Sequence, residues 1–270
     1  MSKKTKKRKT SKSKKSHQDD IQYDYHDLGD TQSSQNKYGW APYRSVASRK
    51  ADAEALVEKL AKKGKILSPV TANGRKISNT FWGQAWCRNL EEHHDYESRL
   101  PRGRSYLRNG SVIDLKISTG KIIAQVIGSY LYKVQIDLEK MDPISWNKII
   151  EECAGSIGSV LELLAGKVSE EVLAIITSDE SHLFPKYDEI KMNCSCPDWA
   201  TMCKHVAAVL YGVGARLDES PQLFFVLRGV DHNDLIRKSS KKLVDDVDAA
   251  AIKFDSKELE ALFGIEISLN

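Results

Sequence analysis

Three cysteines and a histidine crowd into twelve positions of the stretch "NCSCPDWATMCKHVAAVLYG", as Cys194, Cys196, Cys203 and His205. This C-x-C-x6-C-x-H arrangement offers three thiolates and one imidazole, a donor set suited to tetrahedral zinc with Zn–S near about 2.3 Å and Zn–N near about 2.0–2.1 Å. In an extended segment residues i and i+2 point to the same side, so Cys194 and Cys196 can reach one ion. Cys203 and His205 would complete the shell from the start of the next helix. Between the pairs, "PDWATM" is long enough to reverse the chain, with Pro197 and Asp198 favouring a turn. Trp199 is expected to pack over the site and keep water out. One structural zinc is the cofactor expected. A catalytic zinc would keep a position open for water or substrate, which four protein ligands do not. A dithiol redox centre would use C-x-x-C, and would leave Cys203 and His205 surplus. These two, and chance burial, are the alternatives.

A second cluster could grip a ligand rather than transform one. "RLPRGRSYLRNG" sets Arg99, Arg102, Arg104 and Arg108 around Tyr106. Arginine forks bind phosphate bidentately, and an aromatic ring beside them can stack on a base, so these five residues form the candidate nucleic-acid contact. The competing reading pairs the arginines with Glu91, Glu92, Asp95 and Glu97 just upstream. Lys204, between two ligands, is read as offsetting the −1 charge of three thiolates on a divalent ion. His93-His94 have no companion ligands or nucleophile, and Cys87 and Cys153 read as small buried hydrophobes. Glu151-Glu152 and Glu170-Glu171 point apart on a helix. No Walker P-loop occurs. The chain is therefore expected to be non-enzymatic, without a small-molecule substrate.

The elements that must position these residues follow from periodicity. Helical spacing of apolar residues predicts helices over 50–63, with Gly64 as the stop, and over 80–93, where Trp82 and Trp86 are core. Alternating β-branched segments at 111–118, 121–129 and 132–140, broken at Thr119-Gly120 and at 128–131, predict a three-stranded antiparallel meander. Helical spacing returns at 144–155, 158–166 and 169–177, and "LFPKYDEIKMN" is an extended lead-in to the cysteines. A core helix at 204–218 carries Val206, Val209, Leu210, Val213 and Leu217 on one face, and a helix at 221–229 has Pro221 in its first turn. Two short helices are expected beyond Asp231. The fold class is thus α+β: a small antiparallel meander and a helical region with an embedded zinc finger. The segments are 1–38 (basic arm and linker), 39–140 (the meander and its helices), 141–230 (the helical region, with the finger at about 190–215) and 231–270 (a helical tail).

The net charge of +4 conceals an asymmetry. Residues 1–15 hold nine Lys or Arg and no acid, so the remaining 255 residues carry −5. Such a run cannot bury apolar surface and reads as a disordered arm, whose attraction to nucleic acid would be sequence-independent and salt-sensitive. No apolar run approaches the roughly 20 residues needed to span a bilayer, and the basic N-terminus lacks an apolar h-region. A cytoplasmic protein is expected, nucleoid-associated through its charge, or nuclear if the source is eukaryotic.

The C-x-C…C-x-H pattern resembles the SWIM zinc-finger family, known from Swi/Snf-type ATPases and MuDR transposases. "FWGQAW" at 81–86, "RLPRGRSYLRNGSVIDLKIS" at 99–118, "YKVQI" at 132–136, "LFP" at 183–185 and the block 194–229 together look like the stand-alone bacterial members. The resemblance implies one zinc held by Cys194, Cys196, Cys203 and His205, a finger that binds DNA or protein, and association with a Swi/Snf-type ATPase. It leaves two functions to separate: a nucleic-acid-associated protein, accessory to such an ATPase, or a protein–protein scaffold that never touches nucleic acid.

Overall fold

The computed structural model describes residues 45–241, apart from 73, 159, 168, 179, 180, 182, 239 and 240. The lysine-rich arm, the linker to Tyr38, the expected start of order near Gly39 and the second tail helix lie outside the described residues. Contacts divide the chain at Pro42/Tyr43, and all the described residues lie in the second unit.

Period-two alternation builds a four-stranded antiparallel sheet in the order β1 (Val112–Ser118), β2 (Lys121–Ile127), β3 (Leu131–Leu138), β4 (Ile190–Cys194). The β1–β2 turn closes at Ser118↔Lys121, with Gly120 at φ 67° in a left-handed position open to glycine. Ile122, Ala124 and Val126 of β2 and Val134, Ile136 and Leu138 of β3 are buried against the helices. The other face carries a smaller cluster, in which helix α1 (Val46–Lys62) brings Ala53 down onto Ile113 and Ile127. The meander is as the sequence predicts. β4 is the addition, because the lead-in to the cysteines pairs along β3 from Leu138↔Ile190 to Val134↔Cys194.

Helix α7 (Lys204–Glu219) runs through the middle of the core, with eleven of its sixteen residues buried. A helix apolar nearly all round must be covered on every side. The sheet covers one side, and α2 (Phe81–Glu92), α3 (Arg99–Arg108) and α8 (Gln222–Arg228) contribute to the rest. Trp82 and Trp86 are core as predicted, and the Trp86 indole N–H donates to Leu210 O at 2.8 Å. The helices expected at 144–155, 158–166 and 169–177 form as α4 (Pro143–Glu152), α5 (Val160–Leu164) and α6 (Glu170–Thr177). Pro221 caps α8 from the position just before it.

Helix α3 departs from the sequence reading, which gave this arginine-rich stretch no regular structure. Pro101 falls in its first turn, where a missing N–H costs little. Gly103 lets α3 lie directly on α7: a Cβ there would come within 2.6 Å of the Ala207 Cβ. Packing, not propensity, decides this helix.

Candidate metal centre

β3 holds the first pair of ligands. Cys194 pairs with Val134 on the inner face of the sheet, and Ser195 continues the ladder, its N–H donating to Lys133 O at 3.0 Å and its Oγ accepting the Lys133 N–H at 2.9 Å. The strand ends at Cys194 and the chain bends at 195–197, yet the Cys194 and Cys196 sulfurs still fall in one cluster. The second pair sits at the head of α7. Cys203 is the N-cap, with Sγ accepting the Val206 N–H at 3.5 Å, and His205 is 1% exposed. The four ligand atoms lie within 4.8 Å of one another. His205 turns Nδ1 to the thiols, 3.8 Å from Cys194 Sγ and 3.9 Å from Cys203 Sγ. A tetrahedral zinc with the bond lengths above sets its donors about 3.5–3.8 Å apart. The cluster is thus positioned to bind one metal ion, and a donor set of three sulfurs and one nitrogen fits a single structural zinc.

The titration of these groups fits that use. The Cys203 thiol is held down to about 4, chiefly by a hydrogen bond from the Cys194 thiol; burial opposes this, while His205 and the Val206 N–H reinforce it. Cys194 is pushed up as the donor of that bond and by burial, and Cys196 is pushed up by burial. Burial lowers His205, keeping the imidazole neutral as a ligand must be. A divalent ion held by these four residues would reverse the pressure on Cys194 and Cys196, since a coordinating thiol is deprotonated.

The seal over the site is a correction to the sequence reading. Trp199 does not cover the ligands: it is 76% exposed and meets the ring edge of Tyr96, with centroids 4.7 Å apart at 78°. Tyr132, on β3, covers them instead, stacked on His205 with centroids 4.2 Å apart. Burial and the neighbouring thiols push its phenol up to about 12. Tyr106 meets the same imidazole edge-on at 5.2 Å, and Arg49 of α1 lies 4.5 Å over the Tyr106 ring. His205 Nε2 is buried without a hydrogen-bond partner among the described residues; it faces Gly128, where a Cβ would come within 3.0 Å. Tyr132 was legible in principle, because alternation along β3 places it on the same face as Val134 and Ile136.

The loop carrying Trp199 is fixed from several sides. Its ends are Cys196 and Cys203, three residues before and four after. Asp95 accepts the Thr201 N–H at 2.6 Å and the Met202 N–H at 3.2 Å. Asp198 accepts the Ala200 N–H and pairs with Arg99 at 3.0 Å, both side chains largely buried.

The five residues of the candidate nucleic-acid contact are thus dispersed. Arg99 is bound to Asp198, and Arg104 pairs with Glu91 at 2.9 Å and reaches the Tyr211 hydroxyl, which itself donates to Glu91. The Arg104–Glu91 pair is the ion pairing that competed with phosphate binding in the sequence, whereas Arg99 takes Asp198, an acid outside the four expected there. Arg108 is exposed and donates to the Arg75 carbonyl. Tyr106 is 8% exposed, its ring turned to His205, so it presents no stacking face. Arg102 stays exposed. His93 bonds the Pro185 carbonyl at 3.0 Å, while Cys153 is buried and Cys87 half-buried, with burial pushing their thiols up to about 11 and about 12. Among the described residues no helix is long and apolar enough to cross a membrane.

Comparison with known proteins agrees with this geometry. Residues 183–213 match the family model of the SWIM zinc finger. The chain is 32% identical over 178 residues to the uncharacterized protein Rv2102 of Mycobacterium tuberculosis (strain ATCC 25618 / H37Rv), a stretch covering 65% of this chain and 64% of that protein. The chain thus spans just under two thirds of the length of the curated relative it matches. No solved structure matches.

Proposed function

We propose that this chain is a non-enzymatic, nucleic-acid-associated binding protein in which the metal holds a contact surface in place, a reading supported by the match of residues 183–213 to the SWIM zinc-finger model. The observation that carries this is the loop between the ligand pairs, where Trp199 stands 76% exposed on a backbone fixed at both ends. Tryptophan is highly buried on average, so one held outward invites a partner. A rigid loop also loses little freedom on binding. With four protein ligands the metal has no open position, and its role is structural. The nine basic residues of the first fifteen add sequence-independent attraction to a polyanion. Exposed Arg102 and Arg108 replace the five-residue patch as candidate phosphate contacts.

A second reading is favoured by the acids beside the loop. Asp95, Glu97 and Asp198 flank the Tyr96–Trp199 pair, and a surface of that charge also suits a protein partner, including the Swi/Snf-type ATPase that the family resemblance implies. Gel shifts of the full chain separate the two. Binding to DNA that weakens steeply between 50 and 200 mM salt, on the order of a thousandfold for several phosphate contacts, is the expected result. No shift at low salt, with a stoichiometric protein recovered from nuclease-treated extracts, would establish the scaffold instead.

A further inference from the structure

Resting on the nucleic-acid reading, we propose that the finger selects single-stranded nucleic acid, with Trp199 as the platform on which an unpaired base stacks. Four observations converge on this residue. It is the one exposed tryptophan among the described residues: Trp82, Trp86 and Trp146 are buried. It stands in a six-residue loop, too short to present a helix or ribbon to a duplex groove, between two metal ligands. Tyr96 meets it at 78° and fixes the tilt of the indole without covering it. The loop backbone is tied by Asp95 at Thr201 and Met202.

Stacking needs an aromatic face free of the protein and a base free of its complement. The bases of a duplex are closed to such a face; those of a single strand are open. Of the three acids flanking the pair, Glu97 stays exposed and opposes a polyanion, while the other two are engaged. Both oxygens of Asp95 accept backbone N–H groups, and Asp198 is neutralised by Arg99. Arg102, one helical turn beyond Arg99, supplies exposed positive charge on the same helix that holds the loop through Arg99. Sequence preference is expected to be weak, since every base has a face to stack.

The test uses the full-length, zinc-loaded chain and two fluorescein-labelled probes, a 20-nucleotide mixed-sequence DNA strand and the same strand annealed to its complement. Anisotropy titrations should give tighter binding to the single strand. Trp199→Ala should lose roughly tenfold of the single-strand affinity and leave duplex affinity unchanged, while Trp199→Phe restores most of it. Intrinsic tryptophan fluorescence should be quenched by the single strand in the wild type, and this component should vanish in Trp199→Ala. One zinc per chain in every variant shows that the finger is intact. Equal binding of both probes, insensitive to Trp199, would overturn this inference and leave the nucleic-acid reading standing. Failure to bind either probe at low salt would overturn both.

Discussion

At its N-terminal end α7 is tied down by metal ligands: Cys203 caps it, His205 lies in its first turn, and both converge on Cys194 and Cys196 from the sheet. At its C-terminal end the same helix is tied down by a carboxylate. Asp218 accepts the Ser78 and Thr80 hydroxyls at 2.5 and 2.7 Å and the Asn79 and Thr80 N–H groups at 2.7 and 3.0 Å, gathering the start of α2 onto α7. The carboxylate end works because the two helices touch backbone to backbone. A Cβ on Gly83 would overlap Ser78 Oγ and Gly214 O, and one on Gly214 would come within 2.7 Å of Cys87 Sγ. There the core itself does the holding. At the other end Ala200 and Met202 are buried beneath the loop while Trp199 and Tyr96 project outward, and ligands add to packing. A fold that must keep an aromatic residue exposed cannot fix it by burying it, and metal coordination is a way to have rigidity without burial.

The comparison breaks most sharply at the metal. Cys203→Ser removes a ligand while leaving a hydroxyl that can still cap α7, and apparent energies of about 10–16 kcal/mol for structural zinc in small peptides set the scale of what is lost locally. Zinc content should fall from one per chain to none. Hydrogen exchange should show lost protection over 190–206 with 207–219 still protected through Trp86 and the glycine crossing. Equal deprotection of both ends would mean that the metal supports the whole domain.

Next in size is Gly83→Ala. The added methyl meets the Gly214 carbonyl and the Ser78 hydroxyl, neither of which can retreat without opening the α2–α7 contact. A cost of about 3 kcal/mol is expected, read as a lower urea midpoint, with zinc still bound at one per chain.

Asp218→Asn tests the same end chemically. Replacing an acceptor by an amide turns donor against donor, at a cost of about 2 kcal/mol. Burial opposes ionisation of Asp218, but the hydrogen bonds from Ser78, Thr80 and Asn79 outweigh it and hold the carboxyl below its ordinary 3.8. The stabilisation is therefore complete above the unfolded value and is lost as pH falls through the lower folded one. Urea midpoints of wild type and Asp218→Asn should differ by a constant amount from neutral pH down to about 4 and converge below it. A difference that persists unchanged to pH 2 would show that the charge is not what holds this end.

How far these two ends could be read from the chain differs in the same way. The ligands were legible because coordination has a local signature: a two-residue spacing in an extended segment, repeated at a helix start. The clasp had none, since Asp218 lies some 140 residues from Ser78 and Thr80 and meets them only through packing. β4 was missed because a five-residue edge strand shows itself by its partner, and α3 because Pro101 and Gly103 suggest a loop until Ala207 lies against it. Trp199 was misread for a related reason. Hydrophobicity argues for burial, but the place over His205 was already taken by Tyr132, which alternation along β3 delivers from the other side.

The smallest effect expected is the most informative about what the loop is for. If Trp199 helped to close the metal site, its removal would expose His205 and cost both zinc affinity and stability. With the indole 76% exposed and in edge contact with Tyr96 alone among the ring contacts, Trp199→Ala should change the free energy of unfolding by no more than about 0.5 kcal/mol. Competition with a chromophoric chelator should give the same zinc affinity as wild type. Tyr132→Ala is the contrasting change, because it strips the stacked face from a metal ligand; zinc release by the chelator should then quicken. A Trp199→Ala chain that released zinc as readily as Tyr132→Ala would return this residue to the seal and remove the reason for seeking its partner.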